Sequence, residues 1–233
     1  MSRRRSALMV RGGWFGHQPE ETSDAMRSFL ESENFDVRVA DSPAVYAEPG
    51  YLAGVDLIVQ TVTKSTIEKP ELAALRDAIA AGTGFAGWHG GIVDSYRNSA
   101  DYLQLVGGQF VAHPGLPAEE RTGEQPDNYR PHSIDLTAAG RADPIMAGVE
   151  DFVIDSEQYW VLADNYMEVL ATTTQPVRPW DPWHEPITSP AVWKRHWGQG
   201  RIFVSTPGHR LEILMQPPVR TITERGLLWA ART

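Results

Sequence analysis

One pentapeptide constrains this chain more than anything else in it. Gly87-Trp88-His89-Gly90-Gly91 follows directly on the apolar run Gly84-Phe85-Ala86. A reactive residue flanked by glycines on a tight strand-to-helix turn is how several α/β enzymes present a nucleophile. The glycines are expected to relieve crowding where the backbone bends through φ values that a β-carbon resists. The residue presented here is histidine. Imidazole can serve near neutral pH as a base, an acid, a metal ligand or a hydrogen-bond donor, but it is a poor carrier of a stable acyl group. The sequence has no cysteine, which removes thiolate nucleophiles, thiolate metal sites and disulfides together.

The pattern around the elbow predicts alternating strands and helices. Strands are expected over Ser6–Val10, Phe35–Ala40, Val55–Gln60 and Gly84–Gly87, with helices over Pro19–Glu33, Pro70–Ala81 and Ser99–Val106. Prolines open the first two helices and glycines close the last two, each at the end where its backbone geometry is tolerated. Strand–helix–strand alternation of this kind predicts a doubly wound parallel sheet. The second half differs. His132–Leu136, Asp151–Ile154, Glu168–Thr173, Ala191–Trp197 and Arg201–Ser205 read as strands with short connections. Trp197-Gly198-Gln199-Gly200 is a hairpin signal that makes the last two antiparallel. A helix over Pro218–Arg232 closes the chain, and Gln175–Pro190, rich in Pro and Trp, reads as a loop. The expected fold class is α/β: a flavodoxin-like, doubly wound, mainly parallel sheet with an antiparallel extension. With 233 residues, 42% of them hydrophobic, one large domain over residues 1–233 is well supplied and two would be tight.

The net charge of −9 argues against nucleic acid or an anionic membrane surface as partner. Arg3-Arg4-Arg5 is the only basic cluster and reads as a solvated strand entry. No apolar run approaches the ~20 residues of a membrane span, and no hydrophobic signal segment precedes the first strand, so a cytoplasmic location is expected. Gly12-Gly13-Trp14-Phe15-Gly16 is neither a dinucleotide fingerprint nor a P-loop, and no cofactor is expected.

In open α/β sheets ligands bind beyond the carboxyl ends of the strands. His17 follows the first strand, His89 the elbow strand, and His209 the strand ending in Ser205-Thr206-Pro207-Gly208. These three are expected to face one crevice. Glu157, at the end of an apolar strand, can orient an imidazole or raise its pKa, so His89, His209 and Glu157 are the candidate catalytic residues. Trp14, Trp88, His17, His113 and Tyr159 are candidates for holding substrate, with His113 fixed in an extended backbone by Pro114. His132, His184 and His196 read as structural or surface residues. Imidazoles with a carboxylate also suit zinc; the long spacings leave the metal question open.

These pieces, in order, resemble the ThuA-like (trehalose utilisation) family of the class I glutamine amidotransferase-like superfamily. The resemblance rests on Gly12-Gly13 with His17; Leu72-Ala73-Ala74-Leu75-Arg76 through Gly87-Trp88-His89-Gly90-Gly91; and Gly107-Gly108-Gln109-Phe110 with His113-Pro114. It continues through Asp143-Pro144-Ile145-Met146-Ala147-Gly148 to Glu157-Gln158-Tyr159, then Pro190-Ala191-Val192-Trp193, Gly198-Gln199-Gly200-Arg201-Ile202-Phe203 and Gly208-His209. It implies that His89 stands where amidotransferases place their Cys nucleophile and that His209 is the counterpart of their histidine, so glutaminase chemistry is not expected. The chain departs from many members at Asp143, where His often precedes the Pro-Ile step, and in the Trp-rich loop Arg178–Ser189. The resemblance further implies carbohydrate metabolism: processing of trehalose-like disaccharides or their 3-keto derivatives, with a small-molecule carbohydrate as ligand and a partner dehydrogenase as candidate partner. Separately, the indole faces of the site-side tryptophans suit a sugar ring or a subunit contact, so a homo-oligomer is a further candidate. Proton transfer next to a ketone fits a pair of imidazoles. The alternatives are a metal-dependent hydrolase using the same residues and a non-catalytic sugar-binding protein.

Overall fold

The computed structural model describes residues 4–114 and 129–232; Arg3 of the basic cluster lies outside them. In chain order the elements are β1 (Arg5–Gly13), α1 (Pro19–Ser32), β2 (Phe35–Ala40), β3 (Leu57–Thr63), α2 (Lys69–Ala80), β4 (Gly84–Trp88), the single turn α3 (Gly90–Val93), α4 (Ala100–Val106) and β5 (Gly108–Ala112). They continue with β6 (Tyr129–Leu136), α5 (Ala138–Ala142), β7 (Phe152–Glu157), β8 (Trp160–Ala163), β9 (Glu168–Gln175), β10 (Ile187–Trp197), β11 (Gly200–Ser205), α6 (Leu211–Leu214) and α7 (Pro217–Ala230).

Helix starts follow from local chemistry. Pro19 occupies the first position of α1, where its missing N–H costs nothing, and Glu20 and Glu21 complement the positive end of the helix. The Ser99 hydroxyl accepts from the Tyr102 N–H and starts α4 one residue later than the periodicity suggests.

The main sheet has the order β2-β1-β3-β4-β11-β10-β9-β6-β7. The pairs from β2 to β11 are parallel, and this half has the 2-1-3-4-5 order of flavodoxin-like folds, with β11 as fifth strand. From β11 onward each pair is antiparallel, the Trp197–Gly200 hairpin included. The expected parallel sheet with an antiparallel extension is therefore what the chain forms. Alternation along β1 sends Ala7 and Met9 to one face, with Met26 and Leu30 of α1, and Leu8 and Val10 to the other, with Leu75 and Ile79 of α2. All eight are fully buried, and each of the larger ones contributes about 1.5–3 kcal/mol.

One expectation needs correction, and one element was not expected. Gln175–Pro190 is not wholly loop: β9 runs to Gln175 and β10 starts at Ile187, with the Thr174 and Thr188 hydroxyls bonded across the pair at 2.9 Å. Pro190, which has no N–H to give a ladder, sits at a register shift. The second finding is a separate two-stranded ribbon of β5 and β8. It went unpredicted because both strands are short and pair only with each other.

Candidate active site

Five strand ends assemble the site. His17 lies four residues beyond β1, Thr63 is the last residue of β3, His89 follows β4 directly, and His209 lies four residues beyond β11. Glu157 ends β7. The elbow forms, but not for the expected reason. The strained residue is His89 itself, at φ 49° and ψ −145°, while Gly87, Gly90 and Gly91 do not have positive φ. Those glycines permit close approach. A β-carbon at Gly87 would stand 2.4 Å from the Gln60 carbonyl oxygen, one at Gly91 2.7 Å from Thr61 Cα, and one at Gly90 2.4 Å from the His17 ring. Among the described residues four non-glycines have positive φ. Three of them, Gln18, Lys64 and His89, adjoin the site, as strain held in place by surrounding structure often does.

The side chains converge around one carboxylate. Glu157 Oε2 is 3.1 Å from His89 Nε2, 3.0 Å from His209 Nδ1 and 3.9 Å from His17 Nε2, while Oε1 is 3.4 Å from His113 Nε2. His209 Nδ1 is also 3.0 Å from His89 Nε2. The Tyr159 hydroxyl donates to His89 Nε2 at 2.6 Å. The three imidazoles His17, His89 and His209 are nearly perpendicular to one another, with centroids 4.6–4.9 Å apart. Trp14 packs nearly perpendicular to His17, with ring centroids 4.7 Å apart, and Tyr129 nearly perpendicular to His209, with centroids 5.2 Å apart.

Two further groups orient the rings, and neither has a signature in the sequence. His89 Nδ1 lies 2.7 Å from the Thr206 carbonyl. A carbonyl only accepts, so the ring proton of neutral His89 is on Nδ1 and the lone pair on Nε2 faces Glu157. His17 Nδ1 is 2.9 Å from the Thr63 hydroxyl, which leaves its Nε2 toward the same point. The one clue to Thr63 is its place at the carboxyl end of an apolar strand.

Burial sets the electrostatics. His89 is 2% exposed, whereas a residue presented on such a turn is expected to stand open to substrate. Burial, then the neighbouring His17 and His209, lowers its pKa to about 3 against the pull of Glu157. Burial likewise lowers His17 and His113. Burial alone would raise Glu157, but contacts with His17, His209 and His89 hold it well below the usual carboxylate range. Burial, with Glu157 and Asp94 nearby, keeps Tyr159 a neutral phenol far above pH 10. The centre therefore sets an ionised carboxylate beside the rings of His17, His89 and His113, whose charging burial disfavours.

Of the residues singled out in the sequence, His17, His89, His113, Glu157, Tyr159 and His209 come together, with Trp14 at their edge. Trp88 differs: its indole is 2% exposed and belongs to the hydrophobic core, leaving no free face for a ligand. Asp143 is elsewhere, accepting from the Ile145 N–H and pairing with Lys194. The residues able to hold a metal are His17, His89, Glu157 and His209, whose ligand atoms all lie within 4.8 Å of one another. Among the described residues no helix is long and apolar enough to cross a membrane.

Known proteins place this arrangement. None of the curated proteins compared matches the sequence. Among solved structures, a ThuA-like protein from Parabacteroides merdae superposes with a TM-score of 0.73 at 13% identity, covering 98% of this chain and 90% of that one. A ThuA-like protein from Bacteroides uniformis gives 0.68 at 16% identity, covering 97% and 91%. A cytoplasmic protein of Salmonella typhimurium gives 0.64 at 16% identity, covering 98% and 100%. At these identities the likeness is one of fold. The sequence family described as trehalose utilisation matches residues 6–230, nearly the whole chain, so this chain belongs to the ThuA (trehalose utilisation) family.

Proposed function

We propose that this protein is a sugar-processing enzyme of trehalose utilisation, acting on a trehalose-like disaccharide or its 3-keto derivative. Its reacting centre is the cluster of His17, His89, Glu157, His209 and Tyr159. The observation that carries the reading is the convergence of three imidazoles on one buried carboxylate. Burying an ionised carboxylate is costly unless its partners compensate, and perturbed titratable groups concentrated at strand ends mark functional sites more often than structural ones. Family membership supports the sugar context.

The chemistry that suits the centre is polarisation of a sugar carbonyl or hydroxyl and proton transfer at the neighbouring carbon. His89, held neutral with its proton on the Thr206 side, offers a lone pair and is a poor proton donor at neutral pH. Tyr159, whose hydroxyl touches the same nitrogen, is the better donor. Trp14 and His113 line the edge where a sugar ring can rest.

The test is proton exchange. Purified protein is incubated with 3-keto-trehalose in heavy water, and deuterium at the carbons beside the ketone is followed by NMR, with trehalose run in parallel for cleavage. Exchange or turnover that is lost in Glu157→Gln is expected. A wild-type protein that leaves both sugars unchanged would rule the reading out.

A further inference from the structure

We propose that His17 Nε2, His89 Nε2, His209 Nδ1 and Glu157 Oε2 together bind one divalent transition-metal ion of the zinc class. The inference rests on the reading of this cluster as the reacting centre and gives that centre its chemistry.

The first argument is distance. Ligands about 2.0–2.1 Å from a tetrahedral zinc stand about 3.3 Å from one another. The pairs here measure 3.0 Å for His89 with His209, 3.1 Å for His89 with Glu157, 3.0 Å for His209 with Glu157 and 3.9 Å for His17 with Glu157. All four ligand atoms lie within 4.8 Å of one another: His89, His209 and Glu157 are already at ligand spacing, and His17 has to move in toward them to share the ion.

The second argument is direction. The Thr206 carbonyl fixes the proton of His89 on Nδ1, so its Nε2 lone pair points at the carboxylate. A second-sphere carbonyl that fixes the tautomer of a ligating ring is the usual companion of a metal-bound histidine. The Thr63 hydroxyl bonds His17 Nδ1 and so holds that ring with Nε2 toward the carboxylate, although a hydroxyl, able to donate or accept, does not by itself set the tautomer. The mutually perpendicular rings present three nitrogens from three directions.

The third argument is the donor set. Among the described residues the ion-pair partners of Glu157 are all histidines; no lysine or arginine answers its charge. Three imidazoles and one carboxylate select zinc, cobalt, iron, nickel or manganese over calcium and magnesium, which prefer all-oxygen shells. With the ion in place, Tyr159 is free to donate to whatever oxygen, water or sugar, completes its shell.

The experiment begins with chelator-stripped protein whose fold is checked by circular dichroism. It is titrated with Zn²⁺ by calorimetry and with Co²⁺ by visible absorption. One ion per chain is expected, with the intense Co²⁺ bands of a four- or five-coordinate site and a rise in melting temperature on loading. Glu157→Gln and His17→Ala should each weaken uptake by about 100-fold or more. Folded wild-type protein that takes up neither ion saturably, or uptake unchanged in both variants, overturns the proposal. The sugar assay separates the two readings. Stripped protein that works at full rate on a 3-keto sugar defeats the ion and leaves the sugar reading; an ion-loaded protein inert to both sugars does the opposite.

Discussion

His89 and Thr206 are 117 residues apart, yet the imidazole Nδ1 and the carbonyl oxygen meet at 2.7 Å. That contact joins the turn after β4 to the segment after β11, two strands that lie side by side in the sheet. It fixes which nitrogen of His89 carries the proton and hence what the other nitrogen can do. The site is in this sense a product of the sheet order: only adjacent strand ends could supply both halves of the contact.

The depressed histidines predict acid lability. Without a metal, unfolded His89 takes up a proton near its ordinary pKa of about 6.5, whereas folded His89 does so only near 3. The stability this represents is complete above pH 6.5 and is lost as pH falls toward 3. Between pH 6.5 and 5 it amounts to roughly 2 kcal/mol. His17 and His113, also lowered by burial, act with the same sign, and Glu157 adds to it below its ordinary range. In the presence of chelator the melting temperature should drop steadily from pH 7 to 4, and less steeply in His89→Asn. A flat profile between pH 7 and 5 would show that the rings are not held neutral.

Gly90→Ala tests close approach. The added β-carbon would meet His17 Cε1 at 2.4 Å and Nδ1 at 2.8 Å, and that ring is hemmed in by Trp14 and bonded to Thr63. We expect a loss of about 1–3 kcal/mol, as for other overpacked sites, together with at least a 10-fold drop in ion affinity. Gly50→Ala, where nothing lies within 4 Å, is the control for stability, although its positive φ adds a small backbone cost of its own. Retained affinity in Gly90→Ala would separate His17 from the site.

Gln60 makes a stability prediction on the other side of the sheet. Its side-chain oxygen accepts from the Tyr46 and Tyr96 hydroxyls at 2.9 and 3.3 Å, and its nitrogen donates to Ser95 and Tyr102 at 3.0 and 2.5 Å. All five residues are buried. Gln60→Leu leaves several polar groups without partners and should cost about 3 kcal/mol or more, since each unmet group costs about 1–3 kcal/mol. Chemical denaturation measures it; a loss below 1 kcal/mol would mean the tyrosines satisfy one another.

Much of this was legible in the sequence, and what was not has a physical reason. The parallel half reads well because glycine and proline punctuate it: Pro19 and Pro70 stand in the first turns of α1 and α2, and Gly82 and Gly107 follow α2 and α4. The histidines His17, His89 and His209 could be placed because each follows a strand at its carboxyl end. Their burial could not, because it depends on Glu157 arriving from the antiparallel half. Trp88 looked like a ligand platform beside polar residues, but alternation along β4 turns it into the core. The orienting partner of His89 is a backbone carbonyl, which every residue has. The elbow glycines show the same limit: the sequence suggests bent backbone, while the reason for each glycine is a neighbour known only from the fold.

The most discriminating variants are at His89 itself. The residue sits at positive φ, a conformation that asparagine adopts more readily than most side chains. His89→Asn can also keep a donor for the Thr206 carbonyl while removing the nitrogen that faces Glu157, His209 and Tyr159. His89→Ala removes both and leaves the carbonyl unsatisfied. Asparagine should therefore abolish function while sparing the fold: sugar turnover down about 100-fold or more, ion uptake lost, and a smaller fall in melting temperature than alanine gives. Alanine should lose function equally and a further 1–3 kcal/mol of stability. Paired calorimetric melts and activity assays decide it. If asparagine retains activity, the lone pair of Nε2 is not part of the chemistry, and His89 serves only to bridge β4 and β11.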